Sequence, residues 1–171
     1  AALLLFTMHV AWQDYVSDDA FVSMRYARHL ADGKGLVFNA GERVEGYTNL
    51  LWVLLLAACR RAGVDLPTAA RLLGFLFGAA TLAATARLSV RIAPAAAPWT
   101  RISILLLAAS GPLAVWAGSG LETPRFTFLV TAGILSWESG RGAASSVWLT
   151  LACLTRPEGT IFLATAAVLG A

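Results

Sequence analysis

The sequence predicts an all-α protein: a polytopic transmembrane helical bundle with a long first outer loop carrying amphipathic interfacial helices. Three observations predict it. Of 171 residues, 58% are hydrophobic and only 13% charged, against about 25% charged in ordinary soluble domains. The mean hydropathy is +0.69. Several apolar runs also approach the roughly 20 residues needed to cross a bilayer.

The elements follow in order. Residues 1–12 lack a basic n-region and an A-x-A-like site before a polar mature segment, so they read as the outer end of a first membrane helix rather than a signal peptide. Further membrane helices are predicted at about 68–90, 101–120, 123–138, 143–155 and 159–171. Pro112 inside 101–120 reads as a kink. Because both ends of the chain lie in apolar segments, residues 1–171 read as the N-terminal part of a single transmembrane domain within a longer protein.

A shorter apolar run, Leu50 to Cys59, sets the expected topology. It is too short to span, and suits an interfacial or dipping helix. The loop with Arg87, Arg91 and Arg101 then falls inside, as the positive-inside rule favours. The outer side receives the loop 13–67 and the segments 117–124 and 155–160. The localisation expected is a multi-pass plasma-membrane protein whose site lies on the outer face.

Residues 13–49 form the least apolar stretch, with six of the ten acids and four of the thirteen bases, a local balance of −2. Ser17-Asp18-Asp19 has the pattern of a helix start: a hydroxyl able to cap free N–H groups, and acids at the positive end of the dipole. Phe21, Met24, Ala27, Leu30 and Ala31 then recur at helical spacing, so an amphipathic helix is expected to rest on the outer membrane surface until Gly33 and Gly35 end it. Asn39-Ala40-Gly41-Glu42 reads as a turn. The arginines are scattered and no basic run exceeds Arg60-Arg61, which excludes a nucleic-acid footprint. Cys59 and Cys153 read as small apolar fillers, and His9 and His29 lack metal-ligand spacing. No glycine loop of the phosphate-cradling type follows a strand.

Three blocks resemble one family. The long run from Ser17 to Trp52, S-G-L-E-T-P at Ser119–Pro124 and L-T-R-P-E-G at Leu154–Gly159 are similar to bacterial GT-C glycosyltransferases, and most of all to mycobacterial-type arabinofuranosyltransferases. The long block is specific; the two short ones would be weak alone. The resemblance implies a GT-C fold, a polyprenyl-phosphate sugar donor, usually inverting transfer, and a catalytic base just after the first membrane helix. That position matches Asp18, with Asp19 adjacent. Related aminoarabinose transferases have further acids that match Glu45 and Glu122, and a Lys-Gly-Pro block where Arg156-Pro157-Glu158-Gly159 stands here; the change from Lys to Arg keeps the charge but leaves its geometry open.

Such transfer needs a base for the acceptor hydroxyl and fixed cations for the leaving phosphate. Asp18 and then Asp19 are the candidate bases. Arg25, Glu45, Tyr47, Asn49, Glu122, Arg156 and Glu158 are the candidate substrate-binding residues. Plainer roles compete: capping for Asp18 and Asp19, a solvated face for Arg25 and Arg28, a first-turn acid for Glu122, a local pair for Arg156 and Glu158, and interfacial anchoring for Tyr47, Trp52 and Trp116. No cofactor is implied firmly; a divalent metal at Glu45 and Glu122 is left open. The expected partners are the lipid-linked donor, a cell-envelope glycan or lipid acceptor, and membrane lipids. A transporter or flippase of a lipid-linked sugar is the rival reading, and a catalytically silent membrane scaffold is a second.

Overall fold

The computed structural model describes residues 1–42 and 44–169, with 96–98 as backbone alone. The described residues fold into helices with no strand between them: α1 (Ala2–Gln13), α2 (Asp18–Ala31), α3 (Leu50–Arg61), α4 (Leu66–Ile92), a 3-10 turn (Pro94–Ala96), α5 (Ala97–Ala108), α6 (Gly111–Gly118), α7 (Thr123–Glu138), α8 (Gly142–Cys153) and α9 (Gly159–Leu169). Residues 170 and 171 of the expected last helix lie outside the described residues.

The backbone of the bundle is α4. Asp65 caps it, accepting from the Thr68 amide at 3.3 Å and the Thr68 hydroxyl at 3.2 Å, and Pro67 sits in the first turn, where no intrahelical N–H is lost. Its 27 residues extend about 40 Å, and α4 is the one described helix long and apolar enough by itself to cross a membrane. Leu72 and Leu76 on α4, Leu106 on α5, Val147 on α8 and Ile161 on α9 leave large apolar side chains exposed. Such a surface suits lipid or further helices better than water.

The second candidate span is broken. In place of one helix over 101–120, Trp99–Ala108 and Gly111–Gly118 meet at a 49° bend. Pro112 is the cause: it has no N–H to donate, and in a continuous helix its ring would clash with the carbonyl of Ala108 four residues back, so α5 ends there and a new helix starts at Gly111 with the proline in its first turn. α7, at Thr123–Glu138, coincides with the predicted 123–138. α1, α8 and α9 are apolar but short, at 12, 12 and 11 residues.

Two apolar clusters hold the helices. One joins α2, α3 and the start of α4 around Tyr26, Trp52, Val53, Leu56 and Leu66. Each fully buried side chain of this size stabilises by about 1.5–3 kcal/mol. The other joins α1, α4, α5 and α6 around Phe6, Leu82, Ala108 and Ala117, where Phe6 stacks on Phe75 with centroids 5.5 Å apart. Gly74 and Gly78 make this approach close: a Cβ on Gly74 would strike the Ala117 carbonyl, and one on Gly78 would meet the Phe6 ring at 2.6 Å.

The loop helix departs from its expected form. α2 packs against α3 through Ala20, Ser23, Met24, Tyr26 and Ala27, while Phe21 is exposed. Its buried stripe is therefore rotated from the predicted one, because α3 rather than a membrane surface covers it. Asn49 meets Ser23 at the start of both helices, and the Arg61 guanidinium donates to the Leu30 and Ala31 carbonyls at their ends, so α2 and α3 run side by side in one direction. α3 is 12 residues long, about 18 Å, and so remains shorter than a membrane crossing. Ser17 occupies the cap position but makes no side-chain cap bond; its amide donates to the Ser119 carbonyl at 2.9 Å instead. Asn39–Glu42 forms the expected turn, closed by Glu42 N–H to Asn39 O at 3.2 Å and by the Asn39 amide on Glu42 Oε2 at 3.0 Å.

Candidate active site

Four chain segments converge at the end of the bundle where α4 begins. Main-chain atoms join three of the contacts: Ser17 N–H to Ser119 O, Leu51 N–H to Leu154 O at 3.1 Å, and Arg125 Nη1 to Leu51 O at 2.7 Å. Trp52 Nε1 donates to Gly120 O at 3.2 Å, binding α3 to the α6–α7 link. Gly120 takes φ +83°, with Ala20 Cβ only 3.2 Å from where a side chain would start, so a residue without a Cβ fits here. At the α1 exit, Arg71 pairs with Asp14 at 2.7 Å.

These links border a cleft of about 520 Å³. Asp19, Ser23, Tyr47, Asn49, Glu122 and Arg156 line it, from α2, the long loop, the α6–α7 link and the α8–α9 link. Asn49 Nδ2 donates to Ser23 Oγ at 2.9 Å and to Glu122 Oε2 at 2.8 Å. Arg156 Nε lies 3.6 Å from Glu122 Oε1, and its Nη2 lies 3.6 Å from Glu158 Oε1. The Glu122 side chain is 12% exposed and that of Arg156 36%. Arg156 also stands over the Phe126 ring, 5.8 Å from its centroid.

Glu122 occupies the residue before α7, yet its carboxylate makes no cap bond there. It is turned towards Asn49 and Arg156, which separates it from a plain first-turn acid. Asp18 and Asp19 both sit in the first turn of α2 and both are exposed, but of the two only Asp19 borders the cleft.

Tyr47 is held by its neighbours. Tyr26 packs edge-on against it with centroids 4.8 Å apart. The Tyr26 hydroxyl donates to Val44 O at 2.7 Å and accepts from Gly46 N–H at 3.0 Å, fixing the strand of loop that carries Tyr47. Burial first, then the Glu45 carboxylate and Tyr26, push the Tyr47 phenol above the ordinary tyrosine value. It is therefore a hydrogen-bond donor across the physiological range.

Other predicted residues lie apart. Arg25 donates to Phe38 O at 2.8 Å and Asn39 Oδ1 at 2.7 Å, and covers the Phe38 ring at 4.2 Å, so it braces the loop rather than lining the cleft. Glu45 is exposed and borders a neighbouring depression with Lys34 and Tyr47. Glu158 is the outer partner of Arg156. Among the described residues no three His, Cys, Asp or Glu side chains gather as a metal cage. Cys59 and Cys153 are free thiols. Ser23 was not foreseen, though its place four residues after Asp19 puts both on one face of α2. Arg125, 7% exposed, gave no signal in the sequence beyond its presence in an apolar run.

Two relatives of known activity share a segment with this chain. A terminal β-(1→2)-arabinofuranosyltransferase of Corynebacterium glutamicum is 45% identical over 49 residues, 28% of this chain and 7% of the relative. A protein of the same description from Mycobacterium tuberculosis is 45% identical over 47 residues, 27% of this chain and 8% of the relative. The matched segments thus cover less than a tenth of each relative's length. No family model matches the chain, and no solved structure matches it. The partial matches point to a related glycosyltransferase.

Proposed function

We propose that this chain is the N-terminal part of a multi-pass GT-C-type glycosyltransferase of the bacterial plasma membrane, its cleft on the outer face. It transfers a sugar, arabinofuranose by likeness to its relatives, from a polyprenyl-phosphate donor to a cell-envelope glycan or lipid acceptor. The observation that carries this reading is the convergence of Asp19, Glu122 and Arg156 on one cleft from segments far apart in sequence. The partial matches to arabinofuranosyltransferases supply the reaction class.

In this reading Asp19 takes the acceptor hydroxyl proton, with Asp18 beside it at the helix start. The acceptor oxygen bonds to the anomeric carbon as the bond from that carbon to the phosphate oxygen breaks. The electron pair leaves with the polyprenyl phosphate, and Arg156 stabilises the growing negative charge. Glu122, anchored by Asn49 and Arg156, receives sugar hydroxyls, and Tyr47 donates to an oxygen of the substrate. Positioning by this fixed set contributes much of the acceleration.

The test uses the full-length protein with radiolabelled polyprenyl-phosphate pentose and hexose donors and candidate envelope acceptors. Product with a new glycosidic bond, lost in Asp19→Asn, is the expected result. Movement of donor across vesicles with no glycosidic product would replace the enzyme by a transporter.

A further inference from the structure

The opposite end of the bundle carries a different chemistry. A basin of about 670 Å³ lies between the C-terminal turns of α4 and α7 and the link to α8. Arg87 and Arg91 enter it from successive turns of α4, and Arg141 from the α7–α8 link. Ser136, Glu138 and Ser139 complete its polar rim. Three arginines and one glutamate thus share its lining.

The placement of Arg141 follows from the local turn. Gly140 takes φ +70° and donates to Trp137 O at 2.8 Å, and Arg141 N–H donates to Ser136 O at 2.9 Å. This pair of bonds closes α7 and turns Arg141 back beside it. Arg91 has a structural role of its own, since its Nε donates to the Glu138 carbonyl at the end of α7. Among the described residues Arg87 and Arg141 have no such anchor. Among the described residues the ion pairs are Arg71–Asp14, Arg156–Glu122 and Arg156–Glu158, and none uses the basin arginines.

Solvated arginines are common at helix ends, so charge by itself would carry little. Two further features do. The guanidiniums share one concavity, and repel one another unless an anion sits between them. The basin also lies at the end of the apolar α4, about 30 Å from Arg71 at the cleft end, with Val90 exposed in its lining and Ile92 exposed next to Arg91 in the chain. With α4 crossing the membrane, as proposed above, that is the depth at which headgroup phosphates meet acyl chains.

We propose that this basin binds the phosphate of an anionic phospholipid headgroup, with Arg87 and Arg141 as its main ligands and Arg91 in support. The inference rests on the membrane placement proposed above and is independent of the sugar chemistry at the other end. It is tested on the purified full-length protein in detergent by native mass spectrometry, with phosphatidylglycerol, phosphatidylcholine and inorganic phosphate as probes. Arg87→Gln/Arg141→Gln is the variant, because it leaves the Arg91 bond to α7 in place. Wild type should retain phosphatidylglycerol in preference to phosphatidylcholine, and the variant should bind it about tenfold more weakly or worse. Equal retention by variant and wild type would overturn the site. Binding of inorganic phosphate at these arginines without discrimination between the lipids would overturn the lipid assignment. Should the variant fold poorly, a photoactivatable phosphatidylglycerol on wild type decides: crosslinks are expected at residues 87–94 and 135–141, and their absence there would equally remove the proposal.

Discussion

The side-chain amide of Asn49 donates to the Glu122 carboxylate at 2.8 Å, although 73 residues separate them. Ser23 takes the other amide hydrogen at 2.9 Å. One neutral residue thus fixes a charged one and joins the first loop to the second.

Asn49→Asp sets a second carboxylate against Glu122 in a buried place, where both cannot ionise at once. At neutral pH the variant should lose about 2 kcal/mol or more of stability. One carboxyl in the folded variant is raised above its unfolded value, so this cost disappears as pH falls below about 4 and grows as pH rises. Thermal unfolding of variant and parent between acid and neutral pH measures it; a gap that is independent of pH would refute the argument.

Asp19 borders the cleft and Asp18 does not. Asp19→Asn should lower transfer by about 10²–10⁴-fold, the usual weight of a general base, while Asp18→Asn costs less than about tenfold on the same scale. Both side chains are exposed, so melting temperatures should hardly move. The reverse order of effects would return the catalytic role to Asp18.

The Tyr47 phenol is raised by burial and by Glu45 and Tyr26. Subtracting the alkaline absorbance titration of Tyr47→Phe from that of wild type should leave a component ionising above the free-tyrosine range. Its contribution to stability is fully present below the ordinary tyrosine value and is lost as pH rises through the folded one. A component centred at the free-tyrosine value would contradict the half-buried placement beside Glu45 and Tyr26.

Gly74 faces a main-chain carbonyl of α6, whereas a Cβ on Gly133 would meet Leu149 side-chain carbons at 2.6 and 2.8 Å. Leu149 can change rotamer and the Ala117 carbonyl cannot. Gly74→Ala should therefore destabilise by about 1–3 kcal/mol, and Gly133→Ala by less. Equal losses in paired thermal scans would refute this distinction between a fixed carbonyl and a movable side chain.

Ala95 lies just beyond α4 and Gly41 in the long loop, at opposite ends of the bundle. Single cysteines at these two positions in the full-length protein should label from opposite sides of the membrane. Labelling of both from outside would make α3 a crossing rather than a surface helix.

Helices with one dominant apolar character were legible in the sequence. α7 begins and ends where expected, α3 is short, and the turn at Asn39–Glu42 forms. What could not be read were features set by neighbours distant in sequence. The buried face of α2 depends on α3, so Phe21 lies outside and Tyr26 inside. The break near Ser110 was anticipated only as a kink, because a proline does not itself tell whether the preceding turn bends or ends. Among the site residues, Glu122 and Arg156 could be named through the resemblance to aminoarabinose transferases, but their meeting depends on α7 and α8 lying side by side. Arg25 looked equivalent to them by composition and was drawn instead to Phe38 and Asn39, its nearest acceptors.

The hydrogen bonds from Ser17 to Ser119 and from Leu51 to Leu154 use only peptide groups, and Arg125 reaches a peptide oxygen too. Main-chain bonds do not depend on which side chains those residues carry. Wall residues that make no bond of their own across the cleft can therefore change without breaking these links. Thr48 and Trp116, which also line the cleft, can be exchanged and its shape altered while the scaffold around them stays in register.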